Sequence, residues 1–282
     1  MYEQKINRAT PGCLIILIDR SDSMREKSTN GASLAAGAAE AVNRLLFNLA
    51  KRSQKERGAP PRYYFDIGVL GYGQSSNRRS EAVEVAFQGA LAGRPLVALP
   101  DLATNPMRID EVRTNVDLPP TRLPIWVDPV HGFGTPMCQA LAAAGYYAAE
   151  WIKLHPTSFP PVVLNITDGV VTDSPYEGVD LKGWAGRVRA LSTDDGHALL
   201  YNIFLSVKSG STEYFPARPD RLPAPGPMLF ETSSELPPYA VVAAQNKGYS
   251  IEPGARGLVF NAGLDNLAEL LDLGTPQQAR ED

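Results

Sequence analysis

Five side chains carry oxygen at positions where they could act together. Asp19, Ser21 and Ser23 occur in Asp19-Arg20-Ser21-Asp22-Ser23, Thr135 lies in Gly134-Thr135-Pro136-Met137, and Asp168 precedes Gly169. Two carboxylates and three hydroxyls form a hard, all-oxygen donor set, which suits Mg2+ or Mn2+ and not zinc. Hydroxyls hold a cation without cancelling its charge, while carboxylates at greater reach anchor it through water. A position left open on such an ion is electrophilic, and a carboxylate from another molecule is its natural occupant. Taken singly, each piece has a plainer explanation. Ser21 to Ser23 would make a turn before a helix, Thr135 a helix N-cap followed by Pro136, and Asp168-Gly169 a turn. The conjunction favours the metal.

The elements that must position these residues read as an α/β chain. Cys13 to Ile18 is a continuous apolar run, the pattern of a strand buried on both faces, and it ends at Asp19. Tyr63 to Leu70, Pro161 to Thr167, Leu199 to Val207 and Leu258 to Asn261 predict further strands, with Val83 to Phe87 as an edge strand. Helical spacing predicts helices over 32–52, 135–154, 181–191, 240–245 and 264–273, with a short one over 107–114 and an extended piece over 123–127. The expected fold is α/β: a doubly wound, mainly parallel sheet of about six strands, helices on both faces, and one antiparallel edge strand. In such sheets ligands bind beyond the carboxyl ends of the strands, where the strand order switches. Asp19, Thr135 and Asp168 all fall at that end.

The 282 residues read as a single domain over 11–273, with flexible termini at 1–10 and 274–282. Eight of the 24 prolines fall in 95–136 and seven in 216–238, so insertions near 90–130 and 208–238 should leave the regular layers. At least one should border the metal face. Cys13 and Cys138 are expected at opposite ends of the sheet, reduced and buried. With 27 basic against 31 acidic residues the net charge is −4, which disfavours binding to nucleic acid. No apolar run approaches the roughly 20 residues of a membrane-spanning helix, and the start lacks a secretory signal. A cytoplasmic monomer with no membrane association is the expectation.

The motifs resemble the von Willebrand factor A domain, whose metal-ion-dependent adhesion site uses D-x-S-x-S, a separate Thr and a later Asp. The likeness covers about residues 11 to 273. It is nearest to bacterial intracellular members, through Asp128-Pro129-Val130, Gly134-Thr135-Pro136-Met137 and Leu258 to Ala262. The resemblance implies that Ser21, Ser23 and Thr135 touch the metal while Asp19 and Asp168 act through water. It departs at Asp22, where the family often has Gly. The function it implies is a non-enzymatic, Mg2+-dependent protein-binding module within a bacterial signalling or stress-response assembly. The partner would supply an Asp or Glu to the metal.

Two alternatives belong to other classes. A metal-dependent phosphohydrolase would want a second Asp where Ser21 stands, and no acid or base replaces it. An RNA-binding role lacks a basic, aromatic-studded run. No phosphate-cradling loop supports an ATPase. His131, His155 and His197 are scattered, and Asp173, Asp194 and Asp195 read as solvated loop charge. Arg20 could steer an acidic partner, and Met24, Phe133 and Met137 could form an apolar rim.

Overall fold

Gly12–Asp19 forms strand β1, every residue of it buried. The computed structural model describes residues 1–28, 31–56, 58–73, 82–112, 121–132, 134–207 and 210–263. After β1 come a 3-10 turn, Asp22–Arg25, and helix α1, Leu34–Arg52, whose first turn is capped by the Ser33 hydroxyl accepting from Ala36 N. Strand β2 is Phe65–Tyr72, β3 Val83–Val85 and β4 Val97–Ala98. Helix α2 is Leu99–Thr104, and β5, Arg108–Val112, pairs with β6, Thr121–Ile125. Helix α3, Met137–Leu154, precedes β7, Val162–Thr167, and helix α4, Leu181–Ala190. A small hairpin of β8, Ser192–Thr193, and β9, Gly196–His197, leads into β10, Leu199–Leu205. Strand β11 is Glu213–Tyr214, α5 Gly226–Thr232, α6 Pro238–Asn246 and β12 Leu258–Ala262.

The main sheet runs β11-β12-β10-β7-β1-β2-β3, with β4 also paired to β2. The five strands β12, β10, β7, β1 and β2 are mutually parallel, while β3, β4 and β11 are antiparallel additions at the edges. Residue alternation on β1 serves two layers. Leu14, Ile16 and Ile18 join the core beneath α1, whereas Cys13, Ile15 and Leu17 join the core beneath α3 and α4. Helices therefore cover both faces, which is why β1 reads apolar throughout. Both cysteines are buried and free, Cys13 at the start of β1 and Cys138 at the start of α3.

Several expectations need correction. Among the described residues the sheet has eight strands, not about six, because β4 and β11 come from the proline-rich insertions and dock on it as short antiparallel pieces. Where a helix over 107–114 is expected, the described residues Arg108–Val112 form strand β5: Ile109 and Val112 have helical spacing, but Ile109 is half exposed and the backbone pairs with β6. The first ten residues are not frayed. Ile6 is fully buried, Tyr2 packs on Phe159, and the Glu3 and Gln4 amides donate to the Asp195 carboxylate. The first insertion is anchored to α1, where the Asn43 amide donates to Val127 O and its carbonyl accepts from Trp126 N. It returns to the strand ends at Gly132, whose N–H donates to Arg20 O. The expected helix 264–273, the terminus 274–282 and Phe133 lie outside the described residues.

Candidate metal centre

Numbered by their order in the chain, the parallel strands run 2-1-3-4-5, so the order switches between β1 and β7. The chains leaving those two strands diverge there and open a crevice. Asp19 is the last residue of β1 and Thr167 the last of β7. Parallel register, Ile18 opposite Ile166, sets them side by side, and the Thr167 hydroxyl donates to Asp19 Oδ2 at 2.6 Å.

The chain then folds back around Asp19. Ser21 N donates to Asp19 Oδ1 at 2.8 Å, turning the backbone so that the Ser21 and Ser23 hydroxyls meet at 3.0 Å. Ser23 Oγ donates to Asp168 Oδ1 at 2.9 Å, and Ser21 Oγ stands 3.5 Å from the same oxygen. Thr135 arrives from the start of α3. Its backbone N–H donates to Thr172 Oγ1 at 2.8 Å and its carbonyl accepts from Thr172 N, pinning this loop to the one after β7.

Gly169 shows that Thr135 and Asp19 converge. A Cβ there would lie 2.8 Å from Thr135 Oγ1 and 3.3 Å from Asp19 Oδ2. All five sequence-predicted residues are thus brought into one cluster. Asp19, Ser21 and Thr135 form a buried floor, with Ser23 and Asp168 partly exposed above it. Gly169→Ala should fill the cradle. Since Gly169 has no positive φ, the fold should survive, while any ion held against Thr135 and Asp19 should be displaced; circular dichroism and a Mn2+ titration of the variant check both halves.

Charge in this cluster is one-sided. Burial pushes the Asp19 carboxyl up to about 7, with hydrogen bonds from Thr167 and Ser21 working the other way and Asp168 adding to the rise. Asp168 is also raised, first by burial. Among the described residues no lysine, arginine or histidine forms an ion pair with either carboxylate. Arg20, the nearest in sequence, runs back across Gly71 and Gly73 toward Glu84. An all-oxygen set with two acidic groups and, among the described residues, no paired counter-charge matches the donor chemistry that hard divalent cations prefer. The oxygen ligands available to it are the three hydroxyls and the two carboxylates.

The neighbours differ from their sequence reading in three ways. Thr135 is not an N-cap: α3 begins at Met137, and Asp173 accepts from Cys138 N at 3.0 Å and Gln139 N at 2.9 Å. Asp173 is therefore helix-capping charge, not idle loop charge. Met24 and Met137 are buried and belong to the core, so they form no rim. Asp22 faces solvent and pairs with Arg25. Thr167 was the residue missed, and its signal was available: Asn165 and Thr167 alternate as polar positions within an apolar strand.

No family model and no curated protein matches the chain. Solved structures do resemble it. Proximal thread matrix protein 1 from the mussel byssus matches 94% of this chain and 47% of its own, at 13% identity and a TM-score of 0.48. The pilus adhesin SpaC from Lactobacillus rhamnosus GG matches 72% and 25%, at 12% identity and 0.42. The type V pili tip protein Mfa5 from Porphyromonas gingivalis, seen through its three N-terminal domains, matches 60% and 22%, at 12% and 0.29. This chain spans less than half the length of each.

These findings correct the family resemblance. No family model and no curated protein supports the assignment. Nor do the described residues contain a group of three or more His, Cys, Asp or Glu that could hold a metal, so an intact adhesion site of that family is not established. The resemblance rested on short polar motifs at strand ends, which unrelated α/β chains also carry. What stands is the class: an α/β chain with a central, mainly parallel sheet and an oxygen cluster at its switch point. No described helix is long and apolar enough to cross a membrane.

Proposed function

We propose that this chain is a non-enzymatic protein-binding module whose contact depends on a divalent cation, Mg2+ or Mn2+, held by Asp19, Ser21, Ser23, Thr135 and Asp168. The observation that carries the reading is the pair of partly or fully buried carboxylates sharing one hydroxyl cluster with no cationic partner among the described residues. A bound cation would balance that charge and offer an open position to an Asp or Glu of a partner protein. The chain's own residues do the rest. Ser21 N and Thr167 Oγ1 fix both oxygens of Asp19, Ser23 aims Asp168, and Gly169 keeps the space between Thr135 and Asp19 clear.

The test is a Mn2+ titration followed by electron paramagnetic resonance, in which bound ion loses its free six-line signal. Saturable binding by the wild type, abolished in Asp19→Ala with the circular dichroism spectrum retained, is the expected result. Acetate added to the loaded protein should then change the water relaxation of the bound Mn2+ as a carboxylate enters. Absence of saturable binding at millimolar Mn2+ would overturn the reading, and turnover of an aryl phosphate would move it to a phosphohydrolase.

A further inference from the structure

Beneath Asp19, on the face covered by α3, runs a line of buried polar side chains that the proposed contact does not use. Tyr72 is the register partner of Asp19 on β2, and its hydroxyl sits against that of Thr167. The Tyr72 hydroxyl donates to Asn165 Oδ1 at 2.8 Å. Asn165 Nδ2 donates to Asn202 Oδ1 at 2.9 Å, with the Met137 sulfur of α3 at 3.7 Å. Asn202 Nδ2 donates to Ser233 Oγ at 2.9 Å, and Ser233 Oγ to Leu229 O of α5 at 2.7 Å. Tyr72, Thr167, Asn165, Asn202 and Ser233 are all buried. The line crosses β2, β7 and β10 and joins the Asp19 site to the end of α5.

Stability alone does not explain it. A buried amide pair gains little over well-packed apolar residues of the same shape, and a network left partly satisfied is worse than either. What the line does supply is direction. Each amide's orientation is set by the next, so the Thr167 hydroxyl that holds Asp19 is backed by groups whose own rotamers are locked. Partners of this kind orient a metal's ligands, and changing them typically costs on the order of 10–100-fold in metal affinity.

We infer that Thr167, Tyr72, Asn165 and Asn202 are positioning residues for the Asp19 site, and that through Asn202 and Ser233 they tie the seating of α5 to its occupancy. This rests on the cation reading above, though one arm of the test does not. Mn2+ is the probe. Thr167→Val should lose roughly 10-fold in affinity and Thr167→Ser, which keeps the hydroxyl, should recover it. Tyr72→Phe and Asn202→Leu, which leave the hydroxyls of Ser21, Ser23 and Thr135 in place, should lose a smaller but measurable factor, roughly threefold. Ser234→Ala is the control, since Ser234 is buried nearby and its hydroxyl accepts from Leu200 N, off the line. In wild type, Mg2+ should slow amide exchange over 226–233, and in Asn202→Leu it should not.

Unchanged Mn2+ affinity in Tyr72→Phe and Asn202→Leu, or equal losses in Ser234→Ala, would overturn the inference. If the wild type binds no Mn2+, the cation reading fails separately, and the relay is decided in EDTA by combining Asp19→Asn with Asn202→Leu, two strands away from it. Melting-temperature shifts that simply add would then defeat it, and shifts that do not add would sustain it.

Discussion

Asp19→Asn is expected to stabilise the metal-free chain and to abolish its cation binding. Asp19 is fully buried and held by Ser21 N and Thr167 Oγ1, with a second carboxylate nearby and no counter-charge among the described residues. Its carboxyl rises from 3.8 to about 7, so between those values the folded chain holds a proton that the unfolded chain has released. The unfolded state therefore binds fewer protons, and stability falls as pH rises from about 4 to 7, then levels off. A neutral amide of the same shape removes this slope. Its carbonyl can still accept from Ser21 N, and its N–H2 can donate to the Thr167 oxygen. The variant should exceed the wild type by roughly 2–4 kcal/mol at pH 8 in EDTA and by little at pH 4. Urea unfolding of both proteins at the two pH values checks this. Saturating Mg2+ should narrow the gap at pH 8 by stabilising the wild type alone. A variant no more stable than wild type at pH 8 would mean that Asp19 already has a compensating group.

The contrast between what could and could not be read from the sequence follows from range. Strand β1 was legible because both its faces are covered, which leaves an unbroken apolar run from Cys13 to Ile18. The meeting of Asp19 and Asp168 was legible for a related reason: once β1 and β7 are parallel neighbours, the residues at their carboxyl ends must adjoin. Short elements were not legible. Residues 108–112 have apolar positions three apart, which imitates a helix turn, and only pairing with β6 makes them a strand. Glu213 and Tyr214 carry no pattern of their own and are a strand because β12 offers a free edge. The first ten residues looked frayed because their anchors, Phe159 and Asp195, lie far away in sequence.

Thr135 and Asp173 give the sharpest separation between scaffold and site. By local pattern Thr135 is the cap of α3, yet the cap is Asp173, which receives two amide protons of the first turn from 35 and 34 residues away. The Thr135 hydroxyl is thereby left to the space it shares with Asp19 beside Gly169. Thr135→Val keeps the side-chain volume and, with it, the backbone contacts to Thr172. It should change stability by less than about 1 kcal/mol, since no capping bond is lost. Its Mn2+ affinity should nonetheless fall on the order of 10-fold, because one of the neutral oxygens around the ion is gone. Asp173→Ala should do the reverse. Removing a carboxylate that accepts from two amides of a helix N-terminus should cost about 1–2 kcal/mol while Mn2+ affinity changes far less than in Thr135→Val. Thermal melts and Mn2+ titrations of the two variants, run side by side, decide the matter. Should Thr135→Val melt several degrees lower and bind Mn2+ like wild type, Thr135 is part of the framework of α3, and the ion, if held, is held by the β1 and β7 loops alone.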